Sequence, residues 1–389
     1  MDLLFNKEKQ KDSLVAVFDI GSASVGGLLF KKRENYLPEV VASTRQPVNF
    51  PSGKNFLRTW PVINKAFVFV ANYFKKEYAH TPNSALCVFS SPWYISQARV
   101  IKIERDENFE VTENLISDLI QDEMKLFKKQ WDKSSFFEYA PIKTVLNGYN
   151  VENPLGKKTH NLELYAYLSL APAALKEKIE KEILNRIHPQ NIYLHSFPFV
   201  LFKTLENIID IKDGAIFLDI KGEITDVFVF RDNIIEEINS FPIGENFFIR
   251  KLADVFNLGF DEAGFRFLQY QRNELDKNYY EKTKFALTAA VNDWGAHLEK
   301  MFVEIAKDKF LPQNLYFCGS ASTVFLKEII LKVSDKNFEK FTIFNKPFDA
   351  HLLLPDSLKH HFDFAKGFSA NKDIFLLTSA LFANKFLRC

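Results

Sequence analysis

Leu14-Val15-Ala16-Val17-Phe18-Asp19-Ile20-Gly21-Ser22-Ala23-Ser24 decides how this chain is read. The apolar run reads as a strand buried on both faces. It ends in an acid, passes through a turn of small residues and returns as a second strand at Val25 to Phe30. Ala215-Ile216-Phe217-Leu218-Asp219-Ile220-Lys221-Gly222-Glu223 repeats the plan 200 positions later. There a returning strand follows at Asp226 to Arg231, then an Asp232-Asn233 turn and a third strand from Ile234 to Ile238. Two facing lobes of like build would produce this echo. Two unrelated β-hairpins would read the same way.

The acid at each strand end has a chemical use. A carboxylate there can hold Mg²⁺ through water, because Mg²⁺ gives up its water reluctantly. This makes Asp19 and Asp219 the candidate metal residues. Gly21 allows close backbone approach to a phosphate, and turn N–H groups together with the Ser22 hydroxyl can donate to it. Read as ordinary turn acids, Asp19 and Asp219 need no ligand. The other phosphate motifs are missing. The sequence has no G-x-x-x-x-G-K-[ST] and no G-x-G-x-x-G, which disfavours P-loop and Rossmann folds, and Gly21 to Val25 is not a hydrolase nucleophile elbow.

Working outward, a chain of 389 residues exceeds the roughly 250–300 that one core supports, so two or more lobes are expected. A formal net charge of +1 gives no general field for nucleic acid or an anionic membrane, so no nucleic-acid partner is expected. Three cysteines without a C-x-x-C pair suggest a reducing compartment, and no Cys/His cluster suggests zinc. The start, Met1 to Ser13, is not a secretory signal, and no apolar run nears the roughly 20 residues that span a bilayer. The expectation is a cytoplasmic protein whose membrane contact is peripheral or through a partner.

Between the echoes, Ser84 to Ser90 and Gln97 to Arg105 read as strands. Thr112 caps an amphipathic helix from Glu113 to Lys129. Strands follow at Ile142 to Leu146 and Leu162 to Leu170, then a helix from Ala173 to Arg186. The stretch reads as a compact α+β insert. After the second echo, helical periodicity covers 247–256, 261–273, 280–309 and 322–333. A strand at Asn314 to Cys318 runs into Gly319-Ser320, and Asp373 to Phe386 reads as a buried closing helix.

In this order the motifs resemble those of the actin-like ATPase superfamily, in its FtsA/PilM group. Val17 to Ser22 resembles the first phosphate motif, Asp219 to Asp226 the second, and Leu315 to Ser320 the adenosine motif. Glu152-Asn153-Pro154-Leu155-Gly156, followed by Asn161-Leu162-Glu163, is the most FtsA-like phrase, and Ser240 to Gly244 is similar to the segment after the second phosphate motif. PilM, the type IV pilus assembly protein, shares the layout.

The resemblance implies an α/β, two-lobed actin-like ATPase fold with duplicated ribonuclease-H-like lobes and a small inserted α+β subdomain of the 1C type. The first lobe would take 1–83 and 171–209, the insert 84–170 and the second lobe 210–389, with the last helix packing back between lobes. ATP and Mg²⁺ are the implied cofactors, at Asp19, Gly21, Ser22, Asp219, Gly222, Asp226, Gly244, Gly319 and Ser320. Departures point to an eroded pocket. Lys221 and Ile224 replace the usual Gly and Thr, Glu245 and Ser320 replace glycines, and Gly264 and Phe267 stand at the Glu and Lys positions of the ribose phrase. The implied role is a scaffold with weak or lost ATP binding. It would self-associate through the insert and bind an FtsZ-like filament in cell division, or pilus-assembly proteins. A small-molecule kinase of the same superfamily is the enzymatic rival, with no catalytic residue assigned.

Overall fold

A computed structural model of the chain describes residues 13–33, 36–48, 60–206, 208–209, 211, 213–307, 309–319, 323–366 and 373–387. In chain order the elements are β1 (Ser13–Ile20), β2 (Ser24–Lys32), β3 (Glu39–Pro47), α1 (Trp60–Glu77), β4 (Ser84–Phe89), β5 (Ile95–Glu110), α2 (Glu113–Lys128), β6 (Ser134–Leu146), β7 (Tyr149–Asn150), β8 (Lys158–Pro172), α3 (Ala173–Ile187), β9 (Asn191–Ser196) and α4 (Phe197–Leu205). Then come β10 (Ala215–Ile220), β11 (Thr225–Arg231), β12 (Ile234–Phe241), α5 (Glu245–Phe256), α6 (Phe260–Gln271), α7 (Lys277–Ile305), β13 (Asn314–Gly319), α8 (Thr323–Val333), α9 (Lys336–Glu339), β14 (Asp349–Leu352), α10 (Pro355–Leu358), β15 (Asp363–Phe364) and α11 (Ile374–Phe386).

Two sheets share one plan. The first runs β15-β3-β2-β1-β4-β9 and the second β12-β11-β10-β13-β14. In each, an antiparallel β-meander is followed by two strands added in parallel by helical crossovers. The register repeats as well: Asp19 sits opposite Gly26, and Asp219 sits opposite Asp226. Even the bulges match, between Leu29 and Phe30 in one sheet and between Val229 and Phe230 in the other. Unrelated hairpins would not share register and bulge, so the 200-residue echo is a duplication of architecture. The Asp232-Asn233 turn is left-handed at both residues, with φ of 51° and 59°, as a two-residue hairpin requires.

The central strands β1 and β10 are buried nearly end to end, because α1 and α3 cover one face of the first sheet, and α4 and α11 fill the space between the sheets. In α4 eight of nine residues are buried, so the helix shows no amphipathic stripe. Asp373 caps α11, accepting from the N–H groups of Phe375 and Leu376. A second core packs α5 to α8 against the other face of the second sheet.

The insert is a four-stranded antiparallel sheet, β5-β8-β6-β7, carrying α2. Thr112 caps α2 as expected, accepting from Leu115 N–H at 3.1 Å. The expected boundary differs at its start: Ser84–Phe89 pairs in parallel with β1, inside the first sheet, and the insert's sheet begins at Ile95. Its strands are also longer than their alternation suggests. Bulges at Phe136/Glu138 and Pro141/Lys143 shift the period in β6, which starts at Ser134 rather than Ile142. Glu138 ties the insert to β9: it is buried, accepts from Ser196 N–H at 3.2 Å and contacts His195 Nδ1 at 2.7 Å. No helix among the described residues is long and apolar enough to cross a membrane.

Candidate functional site

The two acidic turns meet where the ends of β1 and β10 face each other. Asp19 is fully buried at the end of β1. Its carboxylate accepts from Arg45 Nη2 at 2.8 Å and from Ser90 Oγ at 3.2 Å. Arg45 arrives from β3, and Gly26 on the intervening strand makes room for it: a Cβ there would lie 2.6 Å from the guanidinium. Arg45 also donates to Ser24 Oγ at 2.8 Å and to Asp373 at 2.5 Å, linking the first turn to the cap of α11.

The gap between the turns holds Lys221. Its Nζ lies 3.3 Å from Asp19 Oδ1 and 3.7 Å from Asp219 Oδ2, and it donates to Ser90 Oγ. Phe197 and Phe375, from the first turns of α4 and α11, place their rings 4.5 and 4.0 Å from the ammonium. Thus a side chain from the second turn crosses to the acid of the first.

The two acids respond in opposite ways. Burial pushes the Asp19 carboxyl up, but Lys221 and Arg45 outweigh it, by charge and by hydrogen bonds, and hold it below the ordinary carboxylate range. Burial pushes Asp219 up to about 8; Lys221 offsets this only in part, and the neighbouring Asp226 and Asp19 charges add to the rise. Among the described residues neither Asp219 oxygen has a hydrogen-bond partner. Burial likewise lifts Asp226 to about 7, against the hydroxyl of Ser91, which donates to it at 2.6 Å. With Asp219 and Asp226 protonated, two carboxylates, Asp19 and Asp373, face two cations, Lys221 and Arg45, and the cluster balances.

Most of the sequence-predicted residues converge here. Gly21, Ser22 and Gly222 form the touching turns: a Cβ on Gly222 would lie 1.9 Å from the Ala23 Cβ. The Ser22 hydroxyl accepts from Glu223 N–H at 3.0 Å, so two phosphate-donor candidates satisfy each other. Gly244 packs against the second turn, where a Cβ would meet the Lys221 carbonyl at 1.9 Å. The first N–H groups of α5, at Glu245 and Asn246, donate to the carbonyls of Lys221 and Gly222 at 2.9 and 2.7 Å. Gly319 ends β13 beside Ile220. Ser320 lies outside the described residues. Ser90, Ser91, Arg45 and Asp373 were missed by the sequence reading. Only Arg45 left a trace, as the Gly26-Gly27 pair inside a strand.

Mg²⁺ held through water between Asp19 and Asp219 does not fit this arrangement, because the lysine ammonium already stands between the carboxylates. A triphosphate between the turns does not fit either, with Gly222 against Ala23. Among the described residues no group of three or more His, Cys, Asp or Glu is set to hold a metal ion. Beside the cluster lies a cleft of about 450 Å³, bordered by Gly21, Arg45, Lys221 and, from α6, Phe260, Gly264 and Leu268. Phe267, at the position of the family's ribose lysine, is buried in the second core instead.

No family model matches the chain, and no curated protein matches it. Solved structures do. A type IV pilus biogenesis complex of PilM and PilN is similar at TM-score 0.65 and 14% identity, over 96% of this chain and 98% of that one. The ethanolamine utilization protein EutJ from Carboxydothermus hydrogenoformans is similar at TM-score 0.48 and 11% identity, over 96% and 90%. A protein with an actin-like ATPase fold from Bacteroides thetaiotaomicron is similar at TM-score 0.43 and 8% identity, over 88% and 91%. At such identities likeness speaks for fold alone, and the duplicated sheets, the insert and the PilM–PilN neighbour together give this chain a two-lobed actin-like ATPase fold.

Proposed function

We propose that the protein is a scaffold that works without nucleotide, a PilM-like adaptor on the cytoplasmic side of a pilus or secretion machine. The observation that carries the first half is Lys221 spanning the gap from Asp219 to Asp19. A switch driven by ATP needs that gap for Mg²⁺ and phosphate. Here an internal cation already occupies that gap and pairs with Asp19. A small-molecule kinase needs the same space and is disfavoured on the same ground.

The second half draws on the PilM–PilN neighbour, a complex with a partner protein. In this reading the first lobe comprises β1 to β4 with α3, β9, α4 and the returning edge strand β15, the insert is the 1C-type unit, and the rest forms the second lobe, with α11 packed between the two sheets. The insert offers a groove of about 910 Å³ between α2, β6 and the 150–155 loop, with Ile116, Ile120, Met124 and Tyr139 on its walls. That groove is the proposed seat of the partner or of a second copy. An FtsA-like division scaffold bound to an FtsZ-like filament is the second reading, favoured by the Glu152-to-Glu163 phrase, and capture of the partner separates the two.

Calorimetry with ATP and Mg²⁺ on the native chain and on Asp19→Ala tests the nucleotide half. No binding heat is expected from either. Micromolar binding by the native chain, lost in Asp19→Ala, would restore a working nucleotide switch and reject the proposal.

A further inference from the structure

The insert reaches both lobes through one strand. β6 pairs with β8 in antiparallel register, so residues that face each other share a side of the insert's sheet. Leu164, Leu168 and Leu170 of β8 pack with Ile120 and Phe127 of α2, which marks one side as the α2 side. Tyr165, Tyr167 and Ser169, in between, belong to the other side, because side chains alternate along a strand.

The two bulges of β6 decide which of its side chains follow them. Unbroken pairing onward from Phe136 opposite Leu170 would set Glu138 opposite Leu168, on the α2 side. The first bulge sets it opposite Ser169 instead. Unbroken pairing onward from Pro141 opposite Ala166 would set Lys143 opposite Leu164, again on the α2 side. The second bulge sets it opposite Tyr165. Each bulge turns one charged side chain away from α2 and toward the lobes.

Both side chains find a partner there. Glu138 holds β9 of the first lobe, through Ser196 N–H at 3.2 Å and His195 Nδ1 at 2.7 Å. Lys143 donates to the Asp232 carbonyl at 3.1 Å, in the β11–β12 turn of the second lobe. Between these grips Ala140, opposite Tyr167, packs on the core between the two sheets, to which β12 contributes Ile235. The α2 side of the same strand walls the groove. Tyr139, Pro141 and Thr144 line it, and Asn233, next to Asp232, completes it from the second lobe.

We propose that β6 is a brace across the joint between the lobes, and that the shape of the groove and the angle of the lobes are therefore set together. When the lobes part, Asp232 draws away from Lys143 and Asn233 leaves the groove. Conversely, an occupant that fits the complete groove holds the lobes closed. That last step rests on the groove being a partner's seat, as proposed above; the brace does not.

Hydrogen exchange on the full chain tests the brace. Glu223 N–H donates across the joint to Ser22 Oγ and reports on the lobes. Lys143→Met keeps the apolar stem and removes the charged donor. It should speed exchange at Glu223 about fivefold, the worth of roughly one hydrogen bond, while amides of α1 keep their rates. In the other direction, Lys221→Met releases the lobes. It should speed exchange at Val151 N–H, which donates to the Thr144 carbonyl on the groove wall at 2.9 Å, more than in α1. Lys125→Met, at an exposed lysine of α2 that pairs with Asp122 of the same helix, should change neither. Glu223 exchange unmoved by Lys143→Met overturns the brace. So does exchange raised equally in α1, or an equal response to Lys125→Met. Ser117→Arg puts a long side chain into the groove from an exposed position on α2, away from both grips. A chain that shows the coupled exchange, yet captures its partner undisturbed by Ser117→Arg, keeps the brace and loses the seat.

Discussion

Asp19 and Asp219 occupy the same place in two copies of one fold, yet they live in opposite electrostatic settings. Each ends the central strand of its sheet and stands at the turn into the returning strand. Opposite Asp19 the neighbouring strand offers Gly26, which admits Arg45. Opposite Asp219 it offers Asp226, a second acid. Lys221 belongs to the second turn but spends its hydrogen bonds on Asp19 and Ser90. The first acid therefore has two cations, and the second has a longer contact to one of them. Duplication fixed the backbone, and three side-chain choices decided which acid stays ionised.

The largest expected effect follows from this asymmetry. Asp19→Ala leaves Lys221 and Arg45 short of their buried partner, and breaking such a pair costs about 3–5 kcal/mol. Asp219→Asn removes an acid that must take up a proton to fold at neutral pH, so it should cost no stability there and should gain some. Urea denaturation of both variants measures the difference. Equal losses would show that the two acids carry the same charge.

The glycines of the two turns give the next contrast. A Cβ at Gly222 would meet the Ala23 methyl at 1.9 Å, and that methyl moves only with its backbone. Gly222→Ala should cost about 1–3 kcal/mol by forcing the lobes apart. At Gly21 the nearest atoms would be 3.4 and 3.8 Å away, at ordinary contact distance. Thermal melts of the two variants should therefore differ by several degrees. A Gly222→Ala chain as stable as the native one would mean that the turns are not pressed together in solution.

The pH dependence separates the acids by sign. The Asp19 carboxyl is lowered, so its contribution is present above the unfolded value of about 3.9 and is lost as pH falls through the folded value. Asp219 and Asp226 are raised, so their contribution is complete below about 3.9 and is lost as pH rises through about 7 to 8. Each proton gives a slope of up to about 1.4 kcal/mol per pH unit. Denaturation midpoints against pH should show an acid limb missing in Asp19→Asn, and the fall between about pH 4 and 8 reduced in Asp219→Asn. A fall between about pH 4 and 8 that is unchanged in Asp219→Asn would assign it to other groups.

How much of this was legible beforehand differs between scaffold and site. The echo of Leu14-to-Ser24 at Ala215-to-Glu223 showed the duplication, because a buried strand ending in an acid is a local pattern. It could not show α4, whose Phe197-to-Leu205 run is buried all round and has no period to detect. Nor could alternation find the start of β6, since bulges shift its phase. In the site, Lys221 stood out as a side chain where a backbone approach belongs. Its destination depends on Ser90 and Asp19, 131 and 202 positions away, and contacts at that distance leave no local mark. Arg45 and Asp373 met for the same reason, 328 positions apart.

The smallest effect tests how the turns are joined. Ser22 Oγ accepts from Glu223 N–H across the gap, the one bond between a first-turn hydroxyl and a second-turn amide described here. Ser22 is itself fully buried. Ser22→Ala removes the acceptor and leaves a backbone donor unpaired, at a cost of about 1 kcal/mol. Glu223 N–H should then exchange with solvent faster, while amides within β10 keep their protection, because only the contact between turns is lost. If the latch is mainly Lys221, Ser22→Ala in a Lys221→Met background should add its cost independently. A combined loss well below the sum would place the hydroxyl and the ammonium in one cooperative clasp, with the lobes held by both or by neither.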